Sequence, residues 1–345
     1  MQSFDNNEIT FIIVGDNKTP EVARKYEVDG LWNIEYWSPE DQEKWIINTF
    51  PNDAEKAFRH VPDDMVSRRN FGFLRAKEID SDITITIDDD NFPLEQDWIK
   101  SHCDMKPKFL VSSMNRYVNP CEILKTTIKY KVYSRGYPIS SMYSDSFIAM
   151  PNLDERYSVM NLGLWTQSPD VDAITNLVYP HLYSSGVYFG SHEKYGINTN
   201  NYFPINTQNT SFTKKLSIFH CIYQTPLMGL SSHRYDDIWI GLFVQRLVHR
   251  NRDTATFGSP VVSHERNSHN FVKDLQTEFI GTTMNDTMWN AVSNMCIESQ
   301  SYEDGFLEIA EQLPGIFRGY DSSIIGYISD LSDSMFDWVD LIDRL

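Results

Sequence analysis

Ile83-Thr84-Ile85-Thr86-Ile87-Asp88-Asp89-Asp90-Asn91-Phe92-Pro93 is a β-branched run that passes without a break into three carboxylates. Isoleucines at every second position read as a strand, and the acidic turn stands at its carboxyl end, where open α/β sheets carry their ligands. Upstream, Arg68-Arg69-Asn70 leads a predicted helix through Phe73 and Ala76. Before that, Ser38-Pro39-Glu40-Asp41 supplies a cap, a first-turn proline and early acids ahead of Trp45-Ile46-Ile47, which is a helix start. Earlier still, Ile9 to Val14 reads as a buried first strand closed by Gly15-Asp16, a functional loop. Strand, helix, strand and acidic turn in that order make the first half of a nucleotide-binding α/β unit.

Downstream, residues 139–215 are rich in Ser, Asn, Tyr and Pro and are expected to form loops and short strands of an acceptor half. Ile238, Leu242, Val244 and Leu247 predict a helix over about 236–250. Ile328, Leu331, Met335, Trp338, Ile342 and Leu345, at alternating spacings of three and four, predict an amphipathic C-terminal helix. That helix should pack on its own domain; it is also the face through which a homo-oligomer would form. Two regions are expected, a nucleotide-binding domain over 1–278 and an acidic helical extension over 279–345.

A chain of 345 residues with 41% hydrophobic content can bury a large core. Its 48 acidic against 30 basic side chains, a formal charge of -18, repel phosphate backbones, so nucleic acid is excluded as a partner. A small anionic ligand remains open if a cation or local arginines reverse the field in one pocket. Met1 to Asp5 carries no signal-peptide pattern, no apolar run reaches spanning length, and the four cysteines form no CxxC pair. The expected setting is the reducing cytoplasm, without a membrane span.

Three consecutive carboxylates concentrate charge that solvent or a hard divalent ion must offset. In strand geometry Asp88 and Asp90 would share a face and Asp89 the other, which assigns Asp90 to a metal, Asp88 to ribose or metal, and Asp89 to the sugar. A solvated acidic turn is the plain alternative. Gly163-Leu164-Trp165 followed by Pro169-Asp170 and Asp172-Ala173 sets an aromatic beside carboxylates, a sugar cradle in which Trp165 and Asp172 would bind substrate; a core tryptophan with capping aspartates is the alternative. In Arg234-Tyr235-Asp236-Asp237-Ile238-Trp239 one aspartate can cap the helix while the other serves as general base or holds a sugar hydroxyl, so both Asp236 and Asp237 are catalytic candidates. His264, after Val261-Val262, is a candidate third metal ligand once a carboxylate-bound metal is expected, with a satisfied structural histidine as the alternative. Arg266, Lys273, Arg69 and Lys18 could neutralise a diphosphate, and Asp16 and Asn209 join the substrate-binding candidates.

These motifs together resemble the reversibly glycosylated polypeptide family, glycosyltransferase family 75, which includes UDP-arabinopyranose mutases and related bacterial pyranose/furanose mutases. The carrying residues are Ile87 to Asp90 with Phe92, Arg135-Gly136-Tyr137-Pro138, Gly163 to Trp165 with Asp170 and Asp172, Arg234 to Asp237 with Trp239, and His264 with Asn270-Phe271-Val272, in the family's order over roughly residues 65–278. Asn91 stands where the family usually has cysteine. The resemblance implies an α/β fold of the GT-A type, a Rossmann-like mixed sheet flanked by helices, with a helical C-terminal extension. It implies Mn²⁺ or Mg²⁺ on the acidic triplet and a UDP- or GDP-linked sugar whose ring is shifted between pyranose and furanose forms. Arg135 matches the arginine that the family is thought to glycosylate reversibly; with a guanidinium pKa above about 12, a clamp on a phosphate oxygen is the chemically simpler catalytic role. The expected course is metal-assisted departure of the nucleotide, an oxocarbenium-like sugar held by Trp165 and carboxylates, ring reclosure, and re-attack by the retained diphosphate. The rivals are a glycosyltransferase using the same site and a non-catalytic subunit that keeps the fold.

Overall fold

The computed structural model describes residues 8–20, 22–23, 25, 32–126, 129–143, 147–179, 187–189, 192–222, 234–266 and 270–345; the Met1 to Asp5 opening lies outside them. The chain begins with β1 (Thr10–Val14), parallel to β2 (Asn33–Trp37). Ser38 then caps α1 (Pro39–Thr49), its side chain accepting from the Asp41 N–H, so the start read from Ser-Pro-Glu-Asp is the one that forms. After α2 (Ala54–His60), a 3₁₀ turn at Val66–Arg69 leads into α3 (Asn70–Glu78) and then β3 (Ile83–Ile87), followed at once by β4 (Asn91–Pro93).

Next come α4 (Trp98–Cys103), β5 (Phe109–Ser112), β6 (Leu124–Thr126), β7 (Ile148–Pro151) and β8 (Ser158–Gln167). Then follow α5 (Ala173–Val178), β9 (Val187–Phe189), β10 (Lys194–Ile197), β11 (Asn209–Thr213), α6 (Asp236–Arg250) and β12 (Thr254–His264). The chain closes with α7 (Phe271–Asn294), α8 (Tyr302–Ile316) and α9 (Ser322–Ile342).

The main sheet has the order β3-β11-β8-β12-β10-β5-β7, with β4 on the end of β12. Since β11 is antiparallel to both β3 and β8, and β8 is parallel to β12, the strands β3, β8 and β12 point the same way. Their carboxyl ends therefore gather Asp88 to Asp90, Ser168 to Asp172, and His264 to Arg266 at one edge. This mixed sheet flanked by helices, with further helices at the C-terminus, is the α/β architecture of a GT-A-like fold.

Two expectations change. The segment 139–215, expected to hold only loops and short strands, supplies the ten-residue β8 as well as β11 to the main sheet. Strand β8 is buried on both faces along most of its length, so it lacks polar-apolar alternation and is hard to read as a strand. Its Gly163 is required: a Cβ there would sit 2.2 Å from Asn209 Nδ2 and 2.4 Å from the Pro260 carbonyl. Second, the expected boundary at 278/279 falls inside α7, whose buried residues run from Asp274 to Val292. The core is continuous from Ile46 in α1 to Ile342 in α9, so the C-terminal helices belong to the same packed body. The apolar stripe of α9 is spent inward: Trp338 stacks on His220 at 4.3 Å and packs 5.4 Å from His60 at the end of α2.

Candidate active site at the carboxyl edge of the sheet

After β3 the backbone does not continue as a pleated strand. The Asn91 N–H donates to the Asp88 carbonyl at 3.1 Å, closing a tight turn, and the Asp88 N–H donates to the Gln208 carbonyl at 3.1 Å. The three carboxylates consequently diverge. Asp88 meets Arg69 at 2.7 Å, Asp90 lies 3.5 Å from His264 Nε2, and Asp89 is exposed.

Arg69 is positioned by the 3₁₀ turn before α3, and donates to the Thr207 carbonyl at 3.2 Å as well as to Asp88. Burial opposes its charge, but Asp88 outweighs burial and raises its pKa. His264 ends β12 with only 4% of its surface exposed. Its Nδ1 lies 2.6 Å from the Ser168 carbonyl, which can only accept, so Nδ1 carries the proton and donates it. Burial would lower the His264 pKa; the hydrogen bond and charge of Asp90 win, and the ring is more basic than usual.

Among the described residues no three His, Cys, Asp or Glu side chains converge as a metal-ligand set. The donors that do converge are Asp90 and His264 Nε2, whose second nitrogen is already oriented by Ser168 as a metal-ligating imidazole requires. They suit an ion that takes two protein ligands and completes its shell with diphosphate oxygens and water. Asp88 is committed to Arg69, which separates it from the ligand role anticipated for it.

The first loop borders this edge. Asp16 Oδ1 accepts from the N–H groups of Asn17 at 2.8 Å and Asp64 at 3.1 Å, while Arg68 donates to the Gly15 carbonyl at 3.0 Å. Lys18 extends into solvent, 85% exposed, 3.4 Å from Asp64. Across the edge, Arg266 lies over the Phe271 ring at 5.6 Å and 3.3 Å from Asp274, and Lys273 is exposed on the first turn of α7.

Two other candidates lie beneath the surface and a third, Asp172, is half-buried. Trp165 is 1% exposed within β8, so no ring face is open to a sugar. Asn209 is fully buried: its Oδ1 accepts from Trp98 Nε1 at 3.2 Å and faces His102 Nε2 at 2.8 Å, while its Nδ2 donates to the Pro260 carbonyl at 3.0 Å. Asp172 caps α5, accepting from the Thr175 N–H and hydroxyl at 2.8 Å each. All three are engaged by partners within the fold, which sequence spacing could not show: it tells that a polar or aromatic side chain exists but not which partners reach it.

Arg135 is buried too, 5% exposed. Its Nε donates to both oxygens of Asp170 at 3.0 and 3.1 Å, its Nη1 to Asp237 at 3.1 Å and to the Arg234 carbonyl, and its Nη2 to Asp237 at 2.9 Å. Burial would raise the Asp170 pKa, yet the Arg135 charge prevails and holds it below the usual carboxylate value. Asp236, on the first turn of α6, is 3% exposed with Oδ2 unpartnered; burial, then the Asp237 charge, pushes its pKa up to about 7. Neither aspartate caps α6, since that position is Tyr235.

The sequence reading named Asp170 without a role and overlooked Glu278. Arg234 pairs with Asp274 at 2.9 Å and Glu278 at 3.3 Å, two acids one helical turn apart on α7. That i, i+4 spacing was the available signal.

The profile of the reversibly glycosylated polypeptide family matches residues 7–345 of the chain. The chain belongs to that family. Among relatives of this family member, the probable UDP-arabinopyranose mutase 2 of Solanum tuberosum is 24% identical over 294 residues, which is 80% of this chain and 70% of its own length. UDP-arabinopyranose mutase 2 of Arabidopsis thaliana is likewise 24% identical over 294 residues, 80% of this chain and 72% of its own. UDP-arabinopyranose mutase 1 of Oryza sativa subsp. japonica is 25% identical over 215 residues, 62% of this chain and 54% of its own. Like its relatives this family member is matched along most of its length, and no helix among its described residues is long and apolar enough to cross a membrane.

Proposed function

We propose that the protein is a nucleotide-sugar mutase that interconverts the pyranose and furanose forms of a UDP-linked pentose. The relatives' names support the reaction and the UDP-sugar. The observation that carries it to this chain is the tight turn at the carboxyl edge, with Asp88 against Arg69 on one side and Asp90 facing His264 Nε2 on the other. A divalent ion, Mn²⁺ or Mg²⁺, held by Asp90 and His264 would neutralise charge on a departing diphosphate.

The protein's own groups supply the rest. With Nδ1 donating to the Ser168 carbonyl, loss of the Nε2 proton that faces Asp90 would leave an Nε2 lone pair for the ion. Arg69 brings a permanent positive charge to the turn, oriented by Asp88 and by the Thr207 carbonyl, in a region of an otherwise acidic molecule where an anionic ligand needs one. Asp89, the exposed member of the triplet, is free to accept a hydrogen bond from a sugar hydroxyl.

The test is incubation of the purified protein with Mn²⁺ and a panel of UDP- and GDP-sugars, without acceptor, followed by chromatographic resolution of the products. An isomeric peak of unchanged mass from UDP-arabinopyranose is the expected result. Metal-dependent UDP binding with unchanged sugar would replace the mutase by a glycosyltransferase awaiting an acceptor. Absence of any nucleotide binding would point to a non-catalytic subunit.

A further inference from the structure

We propose that Asn91 is the positioning residue of the ion site at the turn, its amide nitrogen fixing Asp90 and its amide oxygen accepting a hydrogen bond from a water in the shell of the ion. The inference rests on Asp90 and His264 holding a divalent ion, and it names the uncharged group that completes their surroundings.

The Asn91 backbone is held from two directions. Its N–H closes the turn on the Asp88 carbonyl at 3.1 Å, and β4 pairs with β12 in the antiparallel register Asn91↔His264, Phe92↔Ser263, Pro93↔Val262. Directly opposed residues project to the same face of a sheet, so the Asn91 and His264 side chains are neighbours. Alternation along β4 turns Phe92 outward, 49% exposed, and Asn91 inward, 5% exposed.

The Asp90 carboxylate bridges the two. Asn91 Nδ2 donates to Asp90 Oδ1 at 3.1 Å, while Asp90 Oδ2 is the oxygen 3.5 Å from His264 Nε2. A carboxylate only accepts, so the amide atom that faces it is the nitrogen, and the identity of Asn91 Oδ1 follows. By engaging one carboxylate oxygen the amide presents the other on the His264 side, as the outer partners of a metal-binding carboxylate do.

Asn91 Oδ1 is itself buried, with no hydrogen-bond partner among the described residues. Buried polar atoms are nearly always paired, and this one sits on the same amide as the nitrogen that binds Asp90. It marks a place where a polar ligand belongs. A hard divalent ion with two protein ligands brings donors of its own, the waters that fill its remaining positions. A neutral amide can accept from such a water without adding charge to a turn that already carries three carboxylates.

Mn²⁺ titration in the presence of UDP, followed by the electron paramagnetic resonance of the free ion, tests the role without turnover. Asn91→Ala is expected to weaken Mn²⁺ binding by about 10- to 100-fold. In the metal-free variant the amides of residue 91 and Glu265, which donate to the Asp88 and Asp90 carbonyls, should exchange with solvent as in the wild type. If Asn91→Ala does not fold, Asn91→Leu takes its place, since it fills the volume but neither donates nor accepts, and the same loss is expected. Unchanged Mn²⁺ affinity in a folded variant overturns the proposal. So does a loss accompanied by faster exchange at both amides, which would make Asn91 a support for the backbone of the turn. A wild-type protein that binds no Mn²⁺, or binds it equally well as Asp90→Ala, would instead remove the ion from the proposed function and this inference with it.

Discussion

Asp88 and Asp90 are two residues apart, and strand alternation would have aimed both at one ligand; the turn closed by the Asn91 N–H sends them to Arg69 and His264 instead. Substitution should separate these roles. Asp90→Ala and His264→Ala are expected to lower kcat/KM for UDP-arabinopyranose by about 100-fold or more and to weaken Mn²⁺-dependent UDP binding, whereas Lys18→Ala, changing one solvated charge, should alter it by less than about twofold, all read by steady-state assay and calorimetry. Asn209 makes the opposite case. Asn209→Ala removes partners from Trp98, His102 and the Pro260 carbonyl and should cost roughly 2–4 kcal/mol in urea unfolding, with metal-dependent UDP binding retained at low temperature. A fall in affinity without loss of stability would return Asn209 to the ligand.

At the scale of elements, the legible ones carried their own punctuation. The Ser38-Pro39 start of α1 formed as read, and so did the helix beginning at Asp236, because capping and helical periodicity are local. Strand β8 was hidden by its burial on both faces, and its central place depends on the pairing of β11 and β12 around it. The C-terminal helix was visible from its apolar stripe, but what the stripe covers was not. Since α9 presses Trp338 onto His220 and His60, Trp338→Ala should destabilise the whole protein by about 3–5 kcal/mol in a single unfolding transition. A separate early transition confined to the C-terminal helices, monitored by site-specific exchange, would instead mark them as an extension that unfolds on its own.

Across the whole molecule the buried titratable groups set a direction for acid sensitivity. Burial lowers His102, His220 and His249 to about 3, and His60 well below its usual value. Each contributes stability that is complete above the unfolded histidine pKa and is lost as pH falls below it, because only the unfolded ring then takes up a proton. Asp236 and Glu278, raised to about 7 mainly by burial, act oppositely: protonated in the fold, they lose their contribution as pH rises from the unfolded carboxylate value toward 7. Four rings outweigh two carboxyls, so between about pH 6 and 5 stability should fall by roughly 2–3 kcal/mol per pH unit, checked by calorimetric melting across that window. A flat or rising melting temperature there would mean that the imidazoles titrate freely.

By itself the sequence determined the α/β class, the strand-to-acid turn, the helix starts and the family, because each is written in neighbouring residues or in the order of short motifs. Only the tertiary structure decided which charged residues face a ligand and which face one another. Arg135, Asp170 and Asp237 lie far apart along the chain and become a single buried ion cluster through the packing of β8, α6 and the loop before β11. A sequence records that such charges exist. Whether water or a counter-charge satisfies them depends on burial, which is a property of the packed chain.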